Sequence, residues 1–226
     1  MKFSIMGDSI STYEGYNPFL YDVFYTEERA ALAGLRSADD TWWMQVIHAF
    51  GGELCMNDSY SGSFVAGTTP ASAHSEERVS NLISESSLPD VVLICMGAND
   101  CGGKIPLHGE NPGDEFAFDT TYAIMLERIK ALLPEAMVFC ATIMLTDEEA
   151  AGRLRYRLDR IEKYNQVIRQ TAKAHGCMLL EMFDAHIGYT TVDGLHPDWV
   201  GHRLIADTVI AGLKNGGLST VKQRRI

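Results

Sequence analysis

The chain has 226 residues, of which 46% are hydrophobic and 22% charged, ordinary proportions for one globular domain able to bury a large core. Its 19 Lys and Arg stand against 30 Asp and Glu, a net charge of −11, so it repels polyanions and argues against nucleic acid or an anionic membrane surface as partner. No apolar run approaches the ~20 residues of a membrane span.

In chain order, Phe3, Ile5 and Met6 make an apolar run long enough for one buried strand, and Gly7-Asp8-Ser9 breaks it with turn and cap residues. Residues 10–40 are rich in Tyr, Phe and Gly and lack clear periodicity. A connection of that length is read either as a lid or binding loop beside Ser9 or as an aromatic surface loop. Asp39-Asp40-Thr41 opens a helix through Trp42, Trp43, Val46, Ile47 and Phe50, which Gly51-Gly52 stops. A short strand, Glu53 to Met56, leads into a polar loop from Asn57 to Ser63 that contains Gly62, and a helix covers Ser75 to Ser86.

Val91 to Met96 is the strongest strand signal, a continuous apolar run suited to a strand covered on both faces. It ends in a loop, Gly97-Ala98-Asn99-Asp100, followed by a Gly/Pro-rich loop over 102–113. Then come a helix from Phe116 to Leu133, a strand from Met137 to Ile143 and a long helix from Gly152 to His175 with Leu154, Leu158, Ile161, Val167 and Ile168 inward. Cys177 to Leu180 is the fifth strand. A turn, Asp193 to Asp198, feeds the last helix, Trp199 to Leu213, with Asp198 as its cap. The basic stretch Lys222 to Arg225 reads as a solvated end. Five strands alternating with helices predict a single α/β domain over 1–226, a three-layer α/β/α sandwich with a parallel sheet; spacing alone leaves the strand order open.

The five cysteines are odd in number and widely spread, and four lie in apolar runs where a free thiol acts as a small hydrophobe. With too short an apolar run after Lys2 for a secretory leader, they predict a soluble cytoplasmic protein. His48, His74, His108, His175, His186 and His202 show no metal-ligand spacing, and no GxGxxG follows the first strand, so neither a metal nor a dinucleotide cofactor is expected.

In a parallel sheet the loops at the carboxyl ends of the strands share one rim. Ser9, Gly62, Asn99 and the Asp193 to His196 turn would all reach it. Each has an ordinary reading as a turn residue. Together they offer a hydroxyl, an imidazole with a carboxylate three residues away, a glycine N–H and a side-chain amide, which is what nucleophilic acyl transfer needs.

Gly7-Asp8-Ser9, Gly62, Gly97-Ala98-Asn99-Asp100 and Asp193-Gly194-Leu195-His196, in this order, resemble the motifs of the SGNH hydrolases, also called the GDSL family. Ile10 stands where the family's name-giving motif has leucine. The resemblance implies a flavodoxin-like five-stranded sheet in the order 2-1-3-4-5. It also implies Ser9 as nucleophile, His196 as base and then acid, Asp193 as the orienting carboxylate, and Ser9 N–H, Gly62 N–H and the Asn99 amide as the oxyanion hole. The implied activity is cofactor-free hydrolysis of a small-molecule acyl ester, with acetyl or short acyl esters of carbohydrates favoured over lysophospholipid or thioester by the acidic surface. A non-catalytic flavodoxin-like binding module is the competing class. Nothing in the chain specifies an oligomeric state.

Overall fold

A computed structural model describes residues 1–111, 113–152, 155–184 and 186–219. The elements in chain order are β1 (Lys2–Gly7), α1 (Glu27–Leu32), α2 (Trp42–Ala49), β2 (Glu53–Ser59), α3 (Glu76–Ser80), β3 (Val91–Cys95), α4 (Ala98–Gly103) and α5 (Phe118–Leu132). They continue with β4 (Met137–Ala141), β5 (Leu145–Thr146), α6 (Asp147–Ala150), α7 (Arg155–Ala174), β6 (Met178–Leu180), β7 (Gly188–Tyr189) and α8 (Trp199–Asn215), and short 3₁₀ turns cover Ser9–Ser11 and Ala38–Asp40.

The main sheet is parallel throughout, in the order β2-β1-β3-β4-β6. Counting only its own five strands, this is the 2-1-3-4-5 order implied by the family resemblance. The two-residue strands β5 and β7 form a separate parallel ladder, which the sequence reading did not contain.

Alternation along the strands builds the three layers, because successive side chains point to opposite faces. Phe3, Ile5, Val91, Leu93, Phe139 and Ala141 face one way and pack under Trp42, Trp43, Val46 and Phe50 of the α2 region and Val209 and Leu213 of α8. Met6, Val92, Ile94, Val138 and Cys140 face the other way, under Tyr122, Met125, Leu126 and Ile129 of α5 and Ile161, Val167 and Ile168 of α7. Ser4, polar and fully buried in the interior strand β1, gives its hydroxyl to the Leu82 carbonyl at 2.7 Å.

Several sequence expectations need correction. Asn57, Asp58 and Ser59 belong to β2 rather than to the following loop, held there by parallel pairing with Ile5, Met6 and Gly7. The Ala98-Asn99-Asp100 stretch is the opening turn of α4, not a loop. The helix expected over Ser75–Ser86 lasts only from Glu76 to Ser80, with Ser75 as its cap. Residues 10–40 are not wholly irregular: α1 lies within them, and Thr26 caps it by accepting the Arg29 N–H. Leu154 and the stretch Lys222 to Arg225 lie outside the described residues. Among the described residues no helix is long and apolar enough to cross a membrane, and all five cysteines are free thiols.

Docking of α2 against α8 turns on His202. The first N–H groups of a helix have no partner within it, and Nδ1 of the fully buried His202 accepts the Trp42 N–H at 3.2 Å. Burial holds this imidazole neutral, its pKa pushed down to about 3. In the unfolded chain it protonates near its ordinary value of 6.5, so the unfolded state binds more protons between those two values and stability falls as pH drops through that window. The contribution reaches about 1.4 kcal/mol per pH unit. Urea denaturation of His202→Gln should show lower stability at pH 7, by about 1–3 kcal/mol, and a shallower decline than wild type between pH 6.5 and 4.5; parallel declines would refute the assignment.

Candidate active site

β1 delivers Ser9. A Cβ on Gly7 would lie 2.6 Å from Ser11 Cβ and 2.8 Å from Ser59 Oγ, so only glycine lets the chain fold back at the strand end. Asp8 then caps the Ser9–Ser11 turn, its carboxylate accepting the Ile10 N–H at 3.1 Å. Burial pushes the Asp8 carboxyl up to about 6, against that hydrogen bond and the charge of Arg78. Ser9 itself is buried.

Arg78, the fully buried side chain of α3, pins this strand end. Its Nε donates to Asp58 Oδ2 at 2.6 Å, and its Nη2 donates to the Asp58 carbonyl at 2.8 Å and the Gly7 carbonyl at 3.1 Å. The guanidinium also lies 5.6 Å from the centre of the Tyr21 ring. A buried charge survives only when paired and hydrogen-bonded, and here the pairing ties β1 to β2 directly beneath Ser9.

The other half comes from the turn before α8. Asp193 Oδ1 accepts the N–H groups of Leu195 at 3.1 Å and His196 at 2.8 Å, and Oδ2 receives His196 Nδ1 at 2.8 Å. His196 Nε2 stands 2.9 Å from Ser9 Oγ. With Nδ1–H donating to Asp193, Nε2 is the free acceptor for the Ser9 hydroxyl. Burial works to raise the Asp193 carboxyl, but the hydrogen bonds from His196 and Leu195 outweigh it and hold the carboxyl below its usual range. Burial lowers the His196 imidazole despite the opposing pull of Asp193, so the ring stays neutral below the ordinary histidine pKa.

Residues 10–40 hold that turn in place. Tyr25 OH donates to the Pro197 carbonyl at 2.7 Å, and the Trp199 N–H reaches the Ala33 carbonyl at 2.8 Å. Thr12 Oγ1 donates to the Ser9 carbonyl at 2.8 Å and accepts the Phe24 N–H at 2.9 Å, and the Phe24 ring stacks on His196. From the other side, Tyr189 of β7 donates its hydroxyl to the Leu195 carbonyl at 3.1 Å. Sequence reasoning missed Phe24, Tyr25, Arg78 and Tyr189. The aromatic enrichment of 10–40 was the one visible trace of them.

Gly62 and Asn99 reach the same rim. Gly62 sits at φ +76°, a conformation that favours glycine, and its N–H has no hydrogen-bond partner among the described residues. Asn99 Nδ2 donates to the Ser63 carbonyl at 2.9 Å. That amide nitrogen carries two hydrogens, so one remains for a ligand. Asp100, buried beside it, accepts the N–H groups of Val65 at 2.9 Å and Ala66 at 3.0 Å and so anchors the chain after Gly62. Burial pushes its carboxyl up to about 6.

Two apolar clefts flank these groups. One, of about 520 Å³, is lined by Ile10, Met96, Ile143, Met144, Met182 and Tyr189. The other, of about 650 Å³, runs from Gly62 and Ser63 past Phe64 to Ile105 and Phe116. Among the described residues no three His, Cys, Asp or Glu side chains are placed to hold a metal ion.

The four motifs thus meet at one edge of the sheet, and over residues 1–209 the sequence matches the model of the GDSL-like lipase/acylhydrolases. The chain belongs to that family. No curated protein sequence matches it. Solved structures show the same fold. A protein described as a GDSL-like lipase from Bacteroides uniformis superposes with a TM-score of 0.70 at 23% identity, covering 95% of each chain. Another so described, from Bacteroides ovatus, gives 0.69 at 21%, covering 95% of this chain and 98% of that one. A family two carbohydrate esterase from Clostridium thermocellum, in complex with cellohexaose, gives 0.61 at 17%, covering 95% of this chain and 64% of its own. Membership makes the chain an ester hydrolase by family, and the fold is that of other GDSL-like members.

Asp100→Ala in this GDSL-like fold should strand the buried Val65 and Ala66 N–H groups and lower stability by about 2–4 kcal/mol in urea denaturation. An unchanged denaturation midpoint would show that the carboxylate does not hold the Gly62 loop.

Proposed function

We propose that the protein is a serine esterase that cleaves carboxylic esters through an acyl-enzyme, with Ser9 as nucleophile, His196 as base and Asp193 as its orienting carboxylate. The observation that carries the reading is the continuous hydrogen-bonded chain Asp193–His196–Ser9, with contacts of 2.8 and 2.9 Å between side chains from opposite ends of the sequence.

Ser9 Oγ attacks the ester carbonyl carbon while its proton passes to His196 Nε2. The resulting imidazolium is stabilised by Asp193. The oxyanion is received by the N–H groups of Ser9 and Gly62 and by the free Nδ2 hydrogen of Asn99. Ser9 opens its one-turn helix, where the backbone N–H has no intrahelical partner. The intermediate collapses, the ester C–O bond breaks, and the alcohol leaves with the proton from His196. Water then attacks the acyl carbonyl, giving its proton to His196, and Ser9 departs as the hydroxyl while the carboxylic acid is released. No cofactor enters the cycle.

For the substrate, acetyl or short acyl esters of carbohydrates are the leading class. The charge of −11 disfavours an anionic lipid surface, and a carbohydrate esterase shares the fold. The apolar lining of both clefts favours the second reading, a lysophospholipid or thioester carrying a longer acyl chain. A panel of acyl lengths on aryl esters, with acetylated sugars alongside, separates them: activity confined to long chains would end the carbohydrate reading.

A fluorophosphonate should label wild-type protein at Ser9, and Ser9→Ala should lose both the label and nearly all hydrolysis of an aryl acetate; an unlabelled, folded wild type would favour a binding module. Asn99→Ala should lower kcat by about 10²–10³ with little change in stability, as for loss of one oxyanion donor. Because burial keeps His196 neutral, the acidic limb of kcat/KM should fall below the ordinary histidine pKa of 6.5; a limb above that value would contradict the assignment of this ring as base.

A further inference from the structure

We infer that Phe24 is a positioning residue for the His196 base, lying flat on the imidazole to stop it rocking and keep water from its face, with Arg29 closing the outer side of the stack. The inference rests on the esterase reading above. The two ring centroids are 3.4 Å apart with an interplanar angle of 11°.

The stack supplies what the hydrogen bonds lack. Hydrogen bonds at Nδ1 and Nε2, at 2.8 and 2.9 Å, hold the ring at its two nitrogens, whose lone pairs and N–H lie in the ring plane. They fix where the two nitrogens point but resist little rotation about the line joining them. A flat apolar surface resists that rotation, and a base mis-aimed by a small angle loses much of its rate.

Phe24 is itself tied to the nucleophile. Its N–H is held by Thr12 Oγ1, which donates to the carbonyl of Ser9. Tyr25 supports it edge-on at 4.9 Å and 83°.

The charged groups that act on His196 are Asp193, from its own turn, and Arg29, from α1; the Ser9 hydroxyl is the uncharged third neighbour. Arg29 Cζ lies 5.0 Å from the Phe24 centroid. An aromatic face attracts a cation, but the Arg29 charge at the same ring repels a second one, and the flat Phe24 cover adds to the burial of the imidazole. The imidazolium is thereby disfavoured and the neutral base retained. Asp193 pulls the other way, so the stack limits how far the carboxylate raises the ring's proton affinity.

The test combines NMR titration of the His196 ring in the full-length protein with the pH dependence of aryl acetate hydrolysis. Phe24→Leu keeps an apolar cover without a flat face. It should lower kcat about tenfold with KM within about twofold, and move the His196 pKa and the acidic limb of kcat/KM upward together. Phe24→Tyr should restore both. Arg29→Gln, on the exposed face of α1, should raise the pKa, and less at high salt. Wild-type kcat and pKa in Phe24→Leu would overturn the inference, as would equal losses in the Leu and Tyr variants with the pKa unmoved, the mark of mere packing. A wild type that hydrolyses no ester, with the ring pKa still moving in Phe24→Leu, would count against the esterase reading and for the stack.

Discussion

A 2.9 Å hydrogen bond between side chains 187 residues apart leaves almost no slack, and most of the unusual features of this chain serve to hold its two ends. A hydrogen bond of this kind keeps its full strength only within roughly 2.7–3.2 Å and near-linear geometry. On the serine side the tolerance is met by a buried ion pair. Arg78 fastens the Gly7 carbonyl to Asp58 on the neighbouring strand, and the absence of a side chain at Gly7 lets Ser11 and Ser59 close around the turn. On the histidine side it is met by tyrosines whose rings are buried and whose hydroxyls reach single carbonyls, Tyr25 to Pro197 and Tyr189 to Leu195. Loss of one partner of the Arg78 pair would leave a charge in the core, a far larger penalty than the pair's net contribution to stability.

The electrostatic setting follows from the same burial. Asp8 and Asp100 lie in the interior beside the candidate nucleophile and oxyanion donor, each accepting backbone N–H groups, and each pushed up to about 6 by loss of solvent. Asp193, still open to solvent and given two backbone N–H bonds as well as the imidazole, moves the opposite way. Three aspartates within one rim are thus divided by environment. The two buried ones brace loops, and the one that faces the imidazole stays charged.

How much of this the sequence displayed depended on the range of the interaction that decides each feature. The strand Val91–Cys95 and the helix Phe118–Leu132 are set by local hydrophobic pattern, and both were legible. So was the cap Asp198, whose side chain bonds within its own first turn. Ser9, Asp193 and His196 were found as pieces of short motifs, and a parallel sheet gave the reason for them to meet. What stayed hidden was built from pairs distant in sequence. Asn57 to Ser59 read as a loop because they are polar, yet pairing with β1 makes them strand. Arg78, on a short helix, carried no local signal, because its partner Asp58 lies 20 positions earlier on another element. The β5–β7 ladder, two residues a side, is too short to leave any periodicity.

The small bridge through Thr12 has a consequence for turnover. One hydroxyl joins the carbonyl of Ser9 to the backbone of Phe24, and residues 10–40 therefore touch both the serine and the imidazole. A flap that swung open there would take the base's support with it and dismantle the proton relay on every cycle. The cleft along the Gly62 loop is lined by no residue of 10–40, so an acyl group seated there would leave the Thr12 bridge untouched.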